Sequence, residues 1–226
     1  MTDIKICCIS SLQEAQLALS LGANALGANA LGANALGLVS AMPSGPGVIE
    51  ESEIVDIIAA LPSETNTLLL TSETAVDKIV EQHKRIPSCT IQLVDALIEG
   101  TYADLKKQLP NTRIVQVLHV LDESNIQEAL EIAPQVDALL LDSGNPNLKV
   151  KELGGTGRTH NWEISAEIVK QVSVPVYLAG GLHAENVQEA IKQVRPFGVD
   201  LCSGVRTDGK LDEKKLKAFV TAVRSQ

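Results

Sequence analysis

Aromatic residues are scarce in this chain of 226 residues. Phenylalanine, tyrosine and tryptophan make up 2% of it, whereas apolar residues together make up 45%. The core must therefore consist of alanine, valine, isoleucine and leucine, and the length is that of one domain with a sizeable core. Branched aliphatic side chains fill the interior of closed parallel barrels, so the composition suits that architecture.

The chain also lacks runs of positive charge. Its net charge is -9 and there is no long run of basic residues, which argues against nucleic acid or an anionic membrane as a partner. Residues 15–49 carry no charged side chain, but Asn24, Asn29 and Asn34 would be spread around a helix and would face lipid. We therefore predict no transmembrane span.

Cysteine is rare and lacks the spacing of a metal site. There are four cysteines, without a CxxC pair or a Cys/His pattern typical of zinc, and the sequence shows no signal peptide. These features favour a reduced, cytoplasmic protein without a metal ion. Cys7 and Cys8 are adjacent, but neighbours on a strand point to opposite faces, so we do not expect them to form a disulfide.

Short apolar runs alternate with amphipathic stretches along the whole chain. The predicted strands are 4–9, 36–39, 67–72, 90–94, 113–120, 136–142, 174–180 and 199–204. The predicted helices are one capped by Ser11, with Glu14 three residues on, then 49–60, 73–84, 101–108, 123–132, 163–171, 184–193 and 212–224. This order favours a single (β/α)8 TIM barrel domain over residues 1–226. An open doubly wound sheet is the alternative, but that fold usually has a glycine-rich turn after the first strand, where this chain has Cys8-Ile9-Ser10.

The pentapeptide GANAL occurs three times in succession, over residues 22–36, between the first helix and the second strand. A period of five matches neither a helix nor a strand. One copy would suffice to end the helix at Gly22 and lead into the strand. We interpret the other copies as a duplication, expect the third copy to supply the strand, and place the extra residues at the N-terminal end of the barrel.

The last two strands each stop at small residues. In a barrel, the loops after strands 7 and 8 are where a phosphate usually binds, through backbone N–H groups and the positive end of a following helix. We therefore predict a phosphorylated small-molecule ligand. The residues predicted to hold its phosphate are Gly180, Gly181, Ser203 and Gly204.

Reactive groups in a barrel lie at the C-terminal ends of strands, where this chain has Cys7, Gln92, His119 and Asp142. A carboxyl group reached from a buried strand can donate a proton, and a thiol near a phosphate or lysine can act as a base or nucleophile. The residues alone leave other interpretations open: a packed cysteine, a helix-capping aspartate and a core histidine.

The segment GGTGRTHNW, residues 154–162, is rich in glycine. It lacks the Gly-Lys-Ser/Thr ending of a P-loop, which disfavours nucleotide binding. After strand 6, it is predicted to form a lid that closes over substrate and excludes water. We assign Gly155 and Arg158 of this loop, together with Gln92, to the substrate-binding residues.

Taken together, the motifs KIC, LLLDS, GGTGRTHNW, PVYLAGGLHAENV and RPFGVDLCSGV resemble the phosphoribosylanthranilate isomerase family of tryptophan biosynthesis. The resemblance spans nearly the whole chain. It implies a (β/α)8 barrel that performs an Amadori rearrangement without metal or cofactor. It further implies that Asp142 is the general acid that opens the ribose ring and that Cys7 is the general base that takes the C2 proton.

The chain departs from the family pattern around the substrate's aromatic part. Cys8 replaces the usual glycine after KIC, residues 43–47 lack the arginine that meets the anthranilate carboxylate, and Val94-Asp95 replaces His-Gly. Residues 145–153 look like an additional segment, and Arg158 is the candidate to replace the missing arginine. Two alternatives stay open: an isomerase of another N-linked ribose phosphate, and a non-catalytic phosphoribosyl-metabolite binding protein. We expect a monomer or homodimer.

Overall fold

A computed structural model describes residues 1–23 and 35–225. Eight parallel strands form a closed barrel in chain order, and a helix follows each strand. The strands are β1 (Asp3–Ile6), β2 (Ala35–Val39), β3 (Asn66–Thr71), β4 (Thr90–Leu93), β5 (Arg113–His119), β6 (Ala138–Asp142), β7 (Val176–Leu178) and β8 (Gly198–Leu201). The helices are α1 (Leu12–Ala23), α2 (Glu51–Ala60), α3 (Val76–Arg85), α4 (Tyr102–Gln108), α5 (Ser124–Ile132), α6 (Trp162–Gln171), α7 (Val187–Val194) and α8 (Glu213–Arg224).

The predicted barrel is confirmed, and the open sheet is wrong because β1 pairs with both β2 and β8. Side chains alternate along each strand between the barrel interior and the surrounding helices. On β6, Leu139 and Leu141 pack against the helices, whereas Leu140 packs inside the barrel. Asp142 therefore shares the inward face with Leu140 and reaches the C-terminal mouth.

The first strand is shorter than predicted, because it ends at Ile6 and not at Ile9. Cys8 has a φ of +62°, in the left-handed region, and this turns the chain towards α1. Ser11 caps that helix as predicted, since its Oγ accepts a hydrogen bond of 3.2 Å from Glu14 N. The Glu14 carboxylate accepts in turn from Ser10 N, one residue earlier than in a standard capping box.

The GANAL repeat is described only at its two ends. α1 includes Gly22 and extends to Ala23, so it runs one residue past the predicted end. β2 begins at Ala35, so the third copy supplies Ala35 and Leu36 to the strand, as predicted. The remaining residues of the repeat, and with them the predicted position of the extra copies, lie outside the described residues.

A short hairpin between β8 and α8 was not predicted. Residues 206–207 pair antiparallel with residues 210–211 around Asp208 and Gly209, both of which have positive φ. Asp-Gly is a strong sequence signal for this kind of turn, so the sequence did contain the information. Over residues 1–23 and 35–225, no helix combines the length and apolar character needed to span a bilayer.

Candidate active site

A pocket opens at the C-terminal ends of the strands, inside the mouth of the barrel. It brings together most of the residues predicted from the sequence: Cys7, Gln92, Asp142, Gly155, Gly180, Gly181 and Ser203. Three candidates from the sequence, Gly204, Arg158 and His119, are not among its lining residues. Gly204 packs against the carbonyl of Leu182, where an added Cβ would lie 2.0 Å from the oxygen.

Asp142 is 8% exposed and presents one carboxylate oxygen to the pocket. Its Oδ1 accepts a hydrogen bond of 2.7 Å from Ser143 N. Its Oδ2 has no hydrogen-bond partner among the described residues and faces Gly154, where a Cβ would come within 2.9 Å. Glycine at this position therefore lets the loop lie directly over the one oxygen that is available to exchange a proton with a ligand.

Cys7 follows β1 on the inward face and is 8% exposed. Lys5 lies below it on the same face, because it is two residues earlier on the strand. A Cβ at Gly37 of β2 would be 3.2 Å from Cys7 Sγ and 3.1 Å from Lys5 Nζ. The absence of a side chain at Gly37 thus allows the ammonium group and the thiol to occupy one small space.

Lys5 is fully buried and forms an ion pair with Asp200, with 2.9 Å between Nζ and Oδ1. Burial by itself would lower the pKa of Lys5, but Asp200 and the nearby Cys7 raise it above its ordinary value. Burial raises the pKa of Asp200, and Lys5 opposes that change. Lys5 therefore stays protonated and is a fixed positive charge beside Cys7.

The predicted phosphate-binding turns present unused backbone donors. In the described part of the chain, the N–H groups of Gly180, Gly181, Ser203 and Gly204 donate to no protein acceptor. A helix start, with its positive end, was predicted beside each turn, but the two turns differ in how close that helix start lies. A 3-10 turn, Ser203–Val205, starts at once after β8, whereas α7 begins only at Val187. Such a cluster of free N–H groups is suited to an anion.

The glycine-rich loop lies across the phosphate side of the pocket, where a lid was predicted. Ser143 Oγ and Thr156 Oγ1 are 2.6 Å apart and hydrogen-bonded. Gly155 packs on the ring of Pro46 from the β2–α2 loop. Gly181 has a φ of +61°, and a Cβ there would come within 2.7 Å of the carbonyl carbon of Arg158. The loop therefore contacts both neighbouring walls.

The pocket wall offers no positive charge to an aromatic acid. None of the described lining residues is lysine, arginine or histidine. The Arg158 side chain is exposed and ion-paired with Glu152. Gln92 does line the pocket, and its buried Oε1 has no hydrogen-bond partner among the described residues. Gln92 is thus available to a ligand, whereas Arg158 is engaged outside.

His119, the remaining candidate at a strand end, is a core histidine. It is buried, and its Nε2 lies 3.0 Å from the carbonyl oxygen of Val94. The sequence interpretation missed Lys5, Gly37 and Asp200. A signal existed for two of them, since Lys5 and Asp200 interrupt otherwise apolar strands.

Two further cysteines line the same pocket. Cys8 was expected to point away from Cys7, but its left-handed backbone removes the strand alternation. The Cys8 thiol donates to the carbonyl oxygen of Pro46 at 3.6 Å. The neighbouring Cys8 thiol and the Arg206 guanidinium hold the pKa of Cys202 below its ordinary value despite burial. The neighbouring Cys202 and Cys7, together with burial, raise the pKa of Cys8. All four cysteines are free.

Comparisons of the sequence with known proteins identify one family. The model of the family described as N-(5'-phosphoribosyl)anthranilate isomerase matches residues 51–222. The isomerase of Methanocella arvoryzae is 31% identical over 225 residues, which cover 99% of each chain. That of Haloferax volcanii is 33% identical over 226 residues, covering 100% of this chain and 94% of the relative.

Solved structures of the same family superpose on the whole chain. The phosphoribosylanthranilate isomerases of Pyrococcus furiosus and Thermotoga maritima each give a TM-score of 0.80 and cover 100% of both chains. Their sequence identities to this chain are 25% and 26%. The resemblance first seen in the motifs is confirmed by independent comparisons of sequence and structure. The chain belongs to the N-(5'-phosphoribosyl)anthranilate isomerase family.

Proposed function

We propose that this protein isomerises N-(5'-phosphoribosyl)anthranilate to the corresponding 1-amino-1-deoxyketose phosphate, an Amadori rearrangement in tryptophan biosynthesis. One observation carries the proposal beyond family membership. A carboxyl group, Asp142, and a thiol, Cys7, line one pocket together with Gly180, Gly181 and Ser203 of the phosphate-binding turns. An acid and a base beside an anion-binding turn are the groups that this reaction needs.

Asp142 acts first, as the general acid. Its Oδ2 donates a proton to the furanose ring oxygen while the bond between that oxygen and C1 breaks. The nitrogen lone pair forms a double bond to C1, which gives an open-chain Schiff base. Oδ1 remains bound to Ser143 N throughout, so the carboxyl group keeps its orientation. The phosphate, held by backbone N–H groups, fixes the far end of the sugar.

Cys7 acts second, as the general base. Its thiolate removes the proton from C2, and the electron pair moves towards C1 and the nitrogen to give an enolamine. The enolamine then tautomerises to the ketose. The Lys5 ammonium lies near Cys7, and its own ion pair with Asp200 keeps it in place. The loop over Asp142 limits access of water to the Schiff base.

The proposal is tested by the change in anthranilate fluorescence when the purified protein meets phosphoribosylanthranilate. Cys7→Ala and Asp142→Asn should each reduce kcat/KM by about 10²- to 10⁴-fold, the usual effect of removing a general acid or base. Cys89→Ala and Asp77→Asn, away from the described pocket, are matched controls and should retain turnover. Turnover that survives both active-site substitutions would reject these roles.

A second candidate substrate is favoured by the uncharged aglycone wall. Met42, Val94 and Leu153 line the pocket, and the described lining holds no cation to pair with a carboxylate. An N-aryl ribosylamine 5-phosphate without a carboxyl group fits such a wall. An arginine that binds the anthranilate carboxylate through two hydrogen bonds would strongly favour anthranilate over an aglycone without a carboxyl group. Without such a residue, the preference for the anthranilate compound should be smaller. Comparing kcat/KM for the anthranilate and aniline compounds tests this, and a strong preference for anthranilate would reject it.

The remaining parts of the proposal concern the whole molecule. We propose a single barrel domain over residues 1–226, active in the cytoplasm as a monomer or homodimer, with a phosphorylated sugar as its small-molecule partner and no cofactor. The phosphate-binding turns support the ligand class. Light scattering of the purified protein tests the oligomeric state. Binding of phosphorylated ligands without turnover of either substrate would instead favour a binding protein.

A further inference from the structure

The chain at Cys7 leaves the hydrogen-bond ladder of the barrel before its carbonyl group is paired. β1 ends at Ile6, and Cys7 N still donates to the carbonyl oxygen of Leu201 at 2.9 Å. In the described part of the chain, no backbone N–H donates to the carbonyl oxygen of Cys7 or of Cys8. Both residues are buried, so their two carbonyl groups depend on a side chain for hydrogen bonds.

Arg206 supplies these hydrogen bonds from the segment that follows β8. Its Nη2 donates to the carbonyl oxygen of Cys7 at 3.3 Å and to that of Cys8 at 2.5 Å. Its Nη1 donates to the carbonyl oxygen of Gly209 at 3.0 Å, at the turn of the hairpin before α8. The guanidinium group thus ties the turn after β1 to the hairpin after β8.

Glu14, in the first turn of α1, holds the guanidinium group in this orientation. Its Oε1 accepts from Arg206 Nη1 at 3.0 Å, and its Oε2 accepts from Nη2 at 3.1 Å. Leu211 N donates to Oε1 at 2.8 Å, and Ser10 N donates to Oε2 at 3.1 Å, so the carboxylate is itself fixed. The side chains of Arg206 and Glu14 are only 8% and 12% exposed. The fork of the arginine is therefore held in place by a buried ion pair with two hydrogen bonds.

We propose that Arg206 is a positioning residue for Cys7, the base of the proposed isomerisation. It acts through the backbone, because it holds the carbonyl groups of Cys7 and Cys8 where the left-handed Cys8, with a φ of +62°, turns the chain. The inference rests on the proposed function, in which the Cys7 sulfur has to reach the proton on C2 of the sugar. A displacement of about 1 Å in a reacting group can lower a rate by about 100-fold.

The backbone at Arg206 has its own support, so a change of the side chain should leave the phosphate-binding turn in place. Lys215 Nζ donates to the carbonyl oxygen of Arg206 at 2.7 Å, and Asp212 N donates to that of Val205 at 2.8 Å. Neither bond involves the guanidinium group. The proposal therefore predicts an effect on kcat and not on KM.

The first test compares turnover of phosphoribosylanthranilate by Arg206→Lys and by the wild-type protein. Lysine keeps a charge opposite Glu14, but its single ammonium group lacks the fork that reaches the carboxylate and both carbonyl groups. With kcat expressed per folded protein, measured by urea denaturation, we expect kcat to fall by about 10- to 100-fold and KM to change by less than about twofold. Inhibition by inorganic phosphate should stay the same. A retained kcat, or a loss confined to KM, would overturn the proposal.

Alkylation of Cys7 tests the same contact without a substrate. Each full-length protein is treated with iodoacetamide in the absence of denaturant, and labelling at each cysteine is followed by mass spectrometry. Cys7 of Arg206→Lys should be labelled about tenfold faster or more, because the turn opens more often once its charged hydrogen bonds are lost. Labelling of the exposed Cys89 should not change.

The two readouts separate this proposal from the proposed function. If the wild-type protein does not turn over the substrate, the isomerase assignment fails, and the labelling rate still decides whether Arg206 holds Cys7 in place. An unchanged labelling rate of Cys7 would overturn the positioning role, whatever the activity.

Arg85→Lys is the matched control. Arg85 binds Glu51 through two hydrogen bonds of 2.7 and 2.9 Å at the surface, and neither residue lines the described pocket. Its kcat and its labelling of Cys7 should equal those of the wild-type protein. The double variant Arg206→Gln with Glu14→Gln leaves no buried charge without its partner, so it serves if Arg206→Lys does not fold. It should show the same loss of kcat and the same faster labelling, and wild-type values in it would contradict the proposal.

Discussion

Lys5 Nζ lies 2.9 Å from Asp200 Oδ1, and the two residues are register partners where β1 meets β8 to close the barrel. Both side chains point inward and are buried, and Asp200 lines the pocket. The last pairing of the barrel therefore carries a charged pair, whereas the hydrophobic cluster inside the barrel is mostly aliphatic. The same pair places a positive charge beside Cys7, so closure of the fold and preparation of the site depend on one contact.

Removing the ammonium group of this pair should destabilise the fold. Lys5→Met leaves Asp200 as a buried charge without its partner, and we expect a loss of about 3–5 kcal/mol in the free energy of unfolding. Urea denaturation at neutral pH measures it. Lys78→Met is the matched control, because Lys78 pairs with Glu81 in solvent and should lose less than about 1 kcal/mol. Equal losses would show that the buried ion pair has no special role.

A methyl group on the phosphate-binding turn should impair binding of the phosphate. Gly181→Ala strains a φ of +61° and pushes against the backbone at Arg158, so the turn and the loop above it must separate. We expect KM for the phosphorylated substrate to rise by about tenfold or more, because moving the binding groups by about 1 Å from their proper positions weakens their interaction with the substrate. Inhibition by inorganic phosphate should weaken in parallel.

Gly209→Ala is the control for backbone strain alone. Gly209 has a φ of +78°, and an added Cβ would have no neighbour within 4 Å. This substitution should lower stability by about 1 kcal/mol, the cost of a left-handed non-glycine residue, and leave KM unchanged. A KM effect of equal size in both variants would mean that strain, and not contact at the turn, is responsible.

At position 8, a glycine variant should be more stable than an alanine variant, which is the reverse of the usual order. The φ of +62° costs an alanine about 1 kcal/mol or more that glycine does not lose, so Cys8→Gly should be more stable than Cys8→Ala. At Cys202, where φ is -124°, Cys202→Ala should instead be more stable than Cys202→Gly by about 0.5–1 kcal/mol. Thermal unfolding of the four variants decides this, and the same order at both positions would contradict the backbone geometry.

His160 should make the fold less stable as the pH falls from 6.5 to 4. Burial lowers the pKa of His160 to about 4, although the Asp142 carboxylate opposes the change. In this window the unfolded chain binds a proton that the folded protein does not, so acid favours unfolding. The contribution approaches about 3 kcal/mol near pH 4.

Comparison with His160→Gln isolates this contribution. Glutamine can keep a hydrogen bond to Ser165, whose Oγ lies 2.7 Å from His160 Nε2, but it does not titrate. Urea unfolding of both proteins at pH 7, 5.5 and 4 should show a shallower decline for the variant. Parallel curves would mean that His160 takes up its proton equally in the folded and unfolded chains.

The barrel could be predicted because each of its elements is encoded locally. Strands contain continuous apolar runs such as LLL at 139–141, and Ser11 with Glu14 marks a helix start. Eight repeats of strand and helix leave few ways to bury all these faces. Strand ends were less well predicted, as at Ile6, because a turn is imposed by neighbours such as Gly47 that pack on Cys8.

The sequence by itself determined which residues stand at the C-terminal mouth, because topology brings the strand ends together whatever the side chains are. Cys7, Asp142 and Gly181 followed from that rule. Only the tertiary structure decided how the side chains are arranged: the Lys5–Asp200 pair across the barrel closure, Cys8 placed in the pocket lining by its left-handed backbone, and Arg158 held outside by Glu152. These contacts depend on backbone angles and on the register between strands far apart in the chain, and no local pattern encodes either.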